Sequence, residues 1–338
     1  MPSERPNVAV IGVGNIGRHH ARIYRDLDGV HLVAVADADE ARARSVAREF
    51  GCRPYADYRE LLARERLDAV SVAVPTSHHL QVARDVIHRG VPLLIEKPIA
   101  ATPEEGRVIV EEAARQGVPV AVGHVERFNP AVRALKDLVA RGTLGRVLSV
   151  AVRRVGVVPP RLNHTNVIID LAVHDIDVVT YLLDRPPELR GVMSGRAWTT
   201  EHNDWADLTL CYGDISCFIQ VNWVTPIKIR TLALTGTDGY AELNYVTQSL
   251  DLYESSPLRE ADNFQDFVNH YGTPRKREVH VQQDEPLRLE LQSFLDSVLR
   301  GTPVEVPGEA GLTALTVAYQ AWQASLESAG WDPAPLPG

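Results

Sequence analysis

Val8-Ala-Val-Ile-Gly-Val-Gly-Asn-Ile-Gly17 is the stretch on which the fold turns. Four apolar residues, Val8 to Ile11, run into glycines at 12, 14 and 17, and a helical spacing of apolar residues follows through Ile16, Ile23 and Leu27. This reads as strand, turn, helix. Gly12 permits a tight turn, Gly14 lets the backbone approach a pyrophosphate, and Gly17 allows the helix to pack closely on the strand, while Asn15 and Ile16 open a helix whose free amides face the phosphates. The next apolar run, Leu32 to Ala36, ends in Asp37, 20 residues beyond Gly17. A carboxylate there can accept hydrogen bonds from a ribose diol and repels a 2′-phosphate; Asp39 adds to the repulsion, and no Arg directly follows Asp37. The reading is a dinucleotide site that takes NAD in preference to NADP.

Outward from this unit the same grammar repeats. A helical pattern near Glu40 to Phe50, an apolar run at Ala69 to Val74, a helix near His79 to Arg89, short runs at Leu93 to Ile95 and Val120 to Val122, and a helix over about Glu104 to Gln116 capped by Thr102 with Pro103 at its first position complete the alternation. Short strands apolar on both faces between helices predict a parallel sheet covered on each side. After Gly123 the pattern changes to helices near 130–141 and 168–183 and then to a succession of strands from Glu188 to Tyr253, with Gly213-Asp214 and Asp238-Gly239 as hairpin turns. Two amphipathic helices, near 287–299 and 311–328, follow a polar and weakly patterned stretch. The expected fold is α/β: an N-terminal dinucleotide-binding Rossmann domain over 1–123, and over 124–338 an α+β domain on an open, mainly antiparallel sheet that binds substrate and oligomerises.

The chain has 338 residues, 45% of them hydrophobic, enough for a core in each of two domains. Its 35 Lys+Arg against 44 Asp+Glu give a formal net charge of -9, so nothing in the balance attracts nucleic acid or an anionic membrane. Met1 to Asn7 lacks a basic region leading into an apolar one, and no apolar run reaches the roughly 20 residues that span a bilayer. A soluble cytoplasmic protein is expected. Cys52, Cys211 and Cys217 are too few and scattered for a disulfide framework or a zinc site; across the Gly213-Asp214 turn Cys211 falls opposite Ser216 and Cys217 opposite Leu210, which places the two thiols on opposite faces.

Two further groups carry candidate chemistry. Lys97, in Glu96-Lys97-Pro98, follows an expected parallel strand at the edge where open α/β sheets bind ligands, and its ammonium could steady a developing alkoxide; a surface lysine paired with Glu96 is the plain alternative. Asp170 and His174 stand four apart in Asp170-Leu-Ala-Val-His-Asp-Ile-Asp177, so one helix face can present a carboxylate and an imidazole, a fitting base for an alcohol proton. Asp175 turns away. A buried histidine or a metal pair would use the same spacing, but further ligands are not evident and no metal is expected. Arg153, Arg154, Arg161, Lys228 and Arg230 form basic patches that could hold an anionic substrate. Asn163-His164-Thr165 matches a glycosylation acceptor, which a non-exported protein does not use.

The fingerprint at 12–17, PTSHH at 75–79, EKP at 96–98, GHVERFNP at 123–130 and DLAVHDID at 170–177 together resemble the Gfo/Idh/MocA oxidoreductase family over nearly the whole chain. The resemblance implies NAD as cofactor and catalytic roles for Lys97, Asp170 and His174. To the cofactor contacts read at Gly12, Gly14, Asn15, Ile16, Gly17 and Asp37 the resemblance adds contacts near Thr76, His79, Glu96 and Asn129, with Pro75 and Lys97 expected beside them, and the expected substrate contacts are Lys97, Arg127, Arg153, Arg161, Asp170 and His174. GHVERFNP, VIIDLAVHDIDVVTYLL and NWVTPIKIRTLALTGTDG look most like the members that oxidise the 3-hydroxyl of UDP-N-acetylglucosamine. An inositol or simple-sugar dehydrogenase and a non-catalytic dinucleotide-binding regulator are the alternatives. The open sheet of the second domain needs a cover, so a homodimer or homotetramer is expected.

Overall fold

A computed structural model of the chain describes residues 5–157, 166–198, 202–254 and 275–327. These divide into two compact units, Met1–Phe128 with Glu285–Thr316, and Asn129–Asp284 with Val317–Gly338.

The first unit is built on a six-stranded parallel sheet of β1 (Asn7–Ile11), β2 (His31–Ala36), β3 (Arg53–Tyr55), β4 (Ala69–Val72), β5 (Leu93–Glu96) and β6 (Val120–Gly123), in the order β3-β2-β1-β4-β5-β6. Helices α1 (Asn15–Asp26), α2 (Glu40–Phe50), α3 (Tyr58–Arg64), α4 (His79–Ile87) and α5 (Pro103–Gln116) make the crossovers. Strands buried on both faces need such cover, and β1, β4 and β6 are almost wholly buried. The chain order reverses beside β1, the place where dinucleotides sit in this topology. Thr102 caps α5 as its sequence predicts, with its hydroxyl accepting from the Glu105 amide at 3.2 Å.

The expected single cut at 123/124 does not describe the division of the chain. Helix α8 (Pro286–Arg300, which follows α6 and α7 below) places Leu291, Phe294 and Leu295 in one buried cluster with Val8, Val10, Ile23 and Tyr24, and the Val306 carbonyl accepts from the Val122 amide at 3.0 Å. An amphipathic helix settles where its apolar stripe is covered, and here that is the first unit. Sequence order alone assigned it to the second.

The second unit holds an eight-stranded sheet of β7 (Val147–Val157), β8 (Glu188–Gly195), β9 (Trp205–Tyr212), β10 (Ile215–Asn222), β11 (Val224–Gly236), β12 (Gly239–Asn244), β13 (Ser249–Glu254) and β14 (Lys276–Val279). Its order is β14-β13-β12-β11-β7-β10-β9-β8, and every pair is antiparallel except β7 with β10. The hairpin at Gly213-Asp214 has the expected register: Cys211 opposes Ser216, Cys217 opposes Leu210, and all three cysteines are free thiols. One sheet face is buried through Val150, Val152, Leu208, Ile219, Leu234 and Leu243, against α6 (Pro130–Ala140) and the helical segment from Ile168 through α7 (Val173–Leu183). The last helix, α9 (Gly308–Glu327), ends in this unit. Among the described residues no helix is long and apolar enough to cross a membrane.

Candidate functional site

The glycine turn between β1 and α1 has the shape its spacing predicts. Gly12 has φ +85°, and a Cβ there would lie 2.6 Å from the Ala73 carbonyl oxygen, so the position admits no side chain. A Cβ on Gly17 would sit 1.8 Å from the Gly12 oxygen, whereas around Gly14 nothing lies within 4 Å. The loop is thus closed on the sheet side and open on the other. Asn15 and Ile16 are exposed in the first turn of α1, which carries no acidic side chain to oppose a phosphate.

Asp37, just past β2, is tied to this turn. Its Oδ2 accepts from the Val13 amide at 2.9 Å and its Oδ1 from the Asp39 amide at 2.9 Å. Arg42, in the first turn of α2, donates to both oxygens at 3.1 and 3.2 Å and pairs with Asp39 at 3.2 Å. The sequence reading found no arginine directly after Asp37 and missed this one, which returns from the helix. An open glycine cradle, an acid-free helix start and a carboxylate at the loop edge fit a dinucleotide: Gly12 to Gly17 would hold its phosphates and Asp37 a ribose diol.

At the carboxyl end of β4, Pro75 is exposed and Thr76 half-buried in the short turn Thr76–His78. His79 differs from its expected role. It is 1% exposed, and its Nδ1 and Nε2 lie 2.9 Å from the carbonyls of Pro98 and Val74. Burial holds its pKa below the ordinary value, against the pull of those carbonyls. A ring so engaged braces backbone and has no nitrogen left for a cofactor.

Lys97, half-buried, follows β5, and the Lys97–Pro98 peptide is cis. Glu96 is held by protein: its Oε1 accepts from His20 Nε2 at 2.9 Å and its Oε2 from the Lys97 amide at 3.2 Å. Burial pushes this carboxyl up, but the His20 hydrogen bond and charge, with Lys97, outweigh it and hold Glu96 below the usual carboxylate range. Arg127 is buried in the turn Val125–Phe128.

In the second unit Asn166 starts the helix that carries the remaining candidates, its Oδ1 accepting from the amides of Ile168 and Ile169, each at 3.0 Å. Sequence reading passed over this cap. Ile168–Ala172 is one π-helical turn, which runs directly into α7. Asp170 and His174 are both half-buried in a segment whose other side chains are largely buried. Asp175 is fully buried and bound by Arg154, whose Nε donates to both carboxylate oxygens at 2.9 Å while its guanidinium lies 5.0 Å from the Tyr245 ring centroid.

The expected ligand contacts at Asn129, Arg154 and Arg230 are therefore corrected. Asn129 is 1% exposed and caps α6, its Oδ1 accepting from Ala131 at 3.1 Å and its Nδ2 donating to the Tyr245 carbonyl at 3.0 Å, so its amide serves the fold. Arg153 and Arg154 alternate along β7 onto opposite sheet faces and cannot act as a cluster: Arg153 is exposed and donates to Gln220 at 3.2 Å. Arg230 donates to the carbonyls of Val155 and Ile229 at 2.6 and 3.0 Å, which leaves Lys228 as an exposed cation of that stretch. Arg161 and the acceptor pattern at Asn163 lie outside the described residues.

Comparison with known proteins agrees with this architecture. Residues 6–124 match the model described as "Oxidoreductase family, NAD-binding Rossmann fold", and residues 132–242 match the "GFO/IDH/MocA C-terminal domain". The chain is 31% identical, over 92% of its length and 94% of the relative, to UDP-N-acetylglucosamine 3-dehydrogenase of Acidithiobacillus ferrooxidans. It is 38% identical to inositol 2-dehydrogenase 2 of Saccharopolyspora erythraea, over 89% and 87% of the two chains. A solved structure of the Acidithiobacillus enzyme superposes with a TM-score of 0.83 at 28% identity, covering 95% of this chain and 97% of that one. With both halves matched and a near-full-length relative at this identity, the chain belongs to the Gfo/Idh/MocA oxidoreductase family, and its N-terminal domain is an NAD-binding Rossmann domain.

Proposed function

We propose that the chain is an NAD-dependent dehydrogenase that oxidises a secondary hydroxyl of a sugar, the 3-hydroxyl of UDP-N-acetylglucosamine or of a related UDP-sugar. The observation that carries the chemistry is that Asp170 and His174, four apart, are both left half-open in an otherwise largely buried helical segment. His174 takes the hydroxyl proton, a task suited to an imidazole because its ordinary pKa is about 6.5. Asp170 orients the hydroxyl or supports the charged imidazole, and the Lys97 ammonium stabilises the negative charge that develops on oxygen. NAD, when bound, supplies the acceptor for the hydride that leaves the same carbon. Positioned acid–base help of this kind is worth roughly 10²- to 10⁴-fold, and the rest of the acceleration comes from holding the sugar carbon in place.

The sugar-nucleotide reading is supported by the near-full-length similarity to UDP-N-acetylglucosamine 3-dehydrogenase. A second reading, an inositol or simple-sugar dehydrogenase, is favoured by the 38% identity to inositol 2-dehydrogenase 2. It also gains from the engagement of Arg154 and Arg230 with protein groups, which reduces the cations open to a diphosphate. We also propose that the chain works as a homodimer or homotetramer through the outer face of the second sheet. Met193 of β8 and Phe218 of β10 stand 66% and 43% exposed there, and the Tyr240–Tyr253 ring pair lies across β12 and β13 toward the other end of the sheet.

A panel of UDP-N-acetylglucosamine, UDP-glucose, free N-acetylglucosamine and myo-inositol, assayed with NAD in the presence of a carbonyl trap, separates the readings. Binding energy from the remote diphosphate can raise turnover, so the UDP-sugars should far outrun the free sugar. If myo-inositol or the free sugar is faster than both UDP-sugars, the sugar-nucleotide assignment fails and the dehydrogenase assignment stands.

A further inference from the structure

Lys97 is flanked by two buried imidazoles. On its amino side, His20 of α1 has a fully buried side chain and donates through Nε2 to Glu96 Oε1 at 2.9 Å, since a carboxylate oxygen can only accept. Glu96 Oε2 in turn accepts from the amide of Lys97 at 3.2 Å. Gly123 makes room for this carboxylate, because a Cβ there would stand 3.0 Å from Oε1. On the carboxyl side, His79 Nδ1 faces the Pro98 carbonyl and its Nε2 the Val74 carbonyl, both at 2.9 Å. The backbone on either side of Lys97 is thus tied to α1, which starts at the glycine turn, and to the segment after β4. If packing alone were at stake, a leucine would fill either buried position without the desolvation an imidazole suffers. What the imidazoles add is directed N–H donation: His20 to the Glu96 carboxylate, and His79, with one N–H in its neutral form, to one of the two carbonyls it lies between, that of Pro98 next to Lys97 or that of Val74.

We propose that His20 and His79 are positioning residues for Lys97, two buried imidazoles that fix the chain on both sides of it so that its ammonium is presented at one place. This rests on the assignment of Lys97 to catalysis. Neither histidine touches substrate in this scheme, and the carboxylate that links His20 to Lys97 is kept ionised by the same contacts.

The test is a double-mutant cycle on the full chain, read by turnover of the fastest substrate in the panel, by NADH affinity from fluorescence, and by hydrogen exchange of the peptide covering residues 93–101. His20→Leu should lower kcat by roughly 10- to 100-fold, as small misplacements of a reacting group do, with NADH affinity changed far less and exchange raised at the amides of Glu96 and Lys97. His20→Gln, whose amide offers an N–H close to the Nε2 position, should recover most of the loss. In a Lys97→Ala background, His20→Leu should remove nothing further, because the two act as one unit. Should His20→Leu fail to fold, His20→Asn, too short to reach Glu96, takes its place. Losses that multiply across the cycle, or unchanged exchange at the amides of Glu96 and Lys97, overturn the proposal. Full turnover in Lys97→Ala alone overturns the catalytic assignment instead, and the exchange measurement then still judges the clamp.

Discussion

At Asp37 one carboxylate holds the glycine turn through the Val13 amide, fixes the start of α2 through the Asp39 amide, and is bridged by Arg42. Its spacing from the glycines was readable because a ribose contact demands an acid at the end of the second strand. Arg42 was not, because a charged residue on a helix reads as solvated surface until the helix is placed. The two residues bear oppositely on a 2′-phosphate, which Asp37 repels and the half-exposed Arg42 attracts. Fluorescence titration should therefore show NADH binding much more tightly than NADPH in the wild type. The preference should relax in Asp37→Ala, with NADH still bound through the glycine turn, and sharpen in Arg42→Ala. Equal affinities in the wild type would mean that Asp37 does not meet the ribose.

The helical segment from Ile168 to Leu183 carries two adjacent residues, His174 and Asp175, whose environments separate their tasks. His174 is half-open; Asp175 is fully buried against Arg154. Replacing His174 by Ala should lower turnover by about 10²-fold or more with urea stability nearly unchanged. Asp175→Ala should do the reverse in first effect, costing about 3–5 kcal/mol in urea unfolding because it leaves a buried guanidinium without its carboxylate. A wild-type unfolding midpoint for Asp175→Ala would remove the structural role. At this scale helical spacing offered candidates for a shared side but not whether a polar side chain faces a ligand or the backbone. His79 and Asn129 lie in the expected motifs, yet one is wedged between two backbone carbonyls and the other caps α6. Strands β3 and β14, short and mostly exposed, offered no apolar alternation to read.

For the whole chain, the alternation of strand and helix was enough to predict a parallel sheet followed by a mainly antiparallel one, because each periodicity has few ways to bury its apolar face. Long-range choices were not legible: β7 lies between β10 and β11, and α8 returns to the first unit. Nothing local in Val147–Val157 specifies those neighbours, and only the assembled cores decide them. The outer face of the second sheet, with Phe218 and Met193 exposed, leads us to expect a dimer or tetramer by light scattering at micromolar concentration; a monomer would contradict it. The central claim, that a sugar carbon gives up its hydride to NAD, is tested most directly with UDP-N-acetylglucosamine carrying deuterium at C3, incubated with NAD and a carbonyl trap. The account predicts singly deuterated NADH and a trapped 3-keto sugar nucleotide in equal amounts, both reduced by about 10²-fold or more in His174→Ala. Reduced cofactor that forms without the label, or no reduced cofactor with any sugar of the panel while NADH still binds, would contradict it.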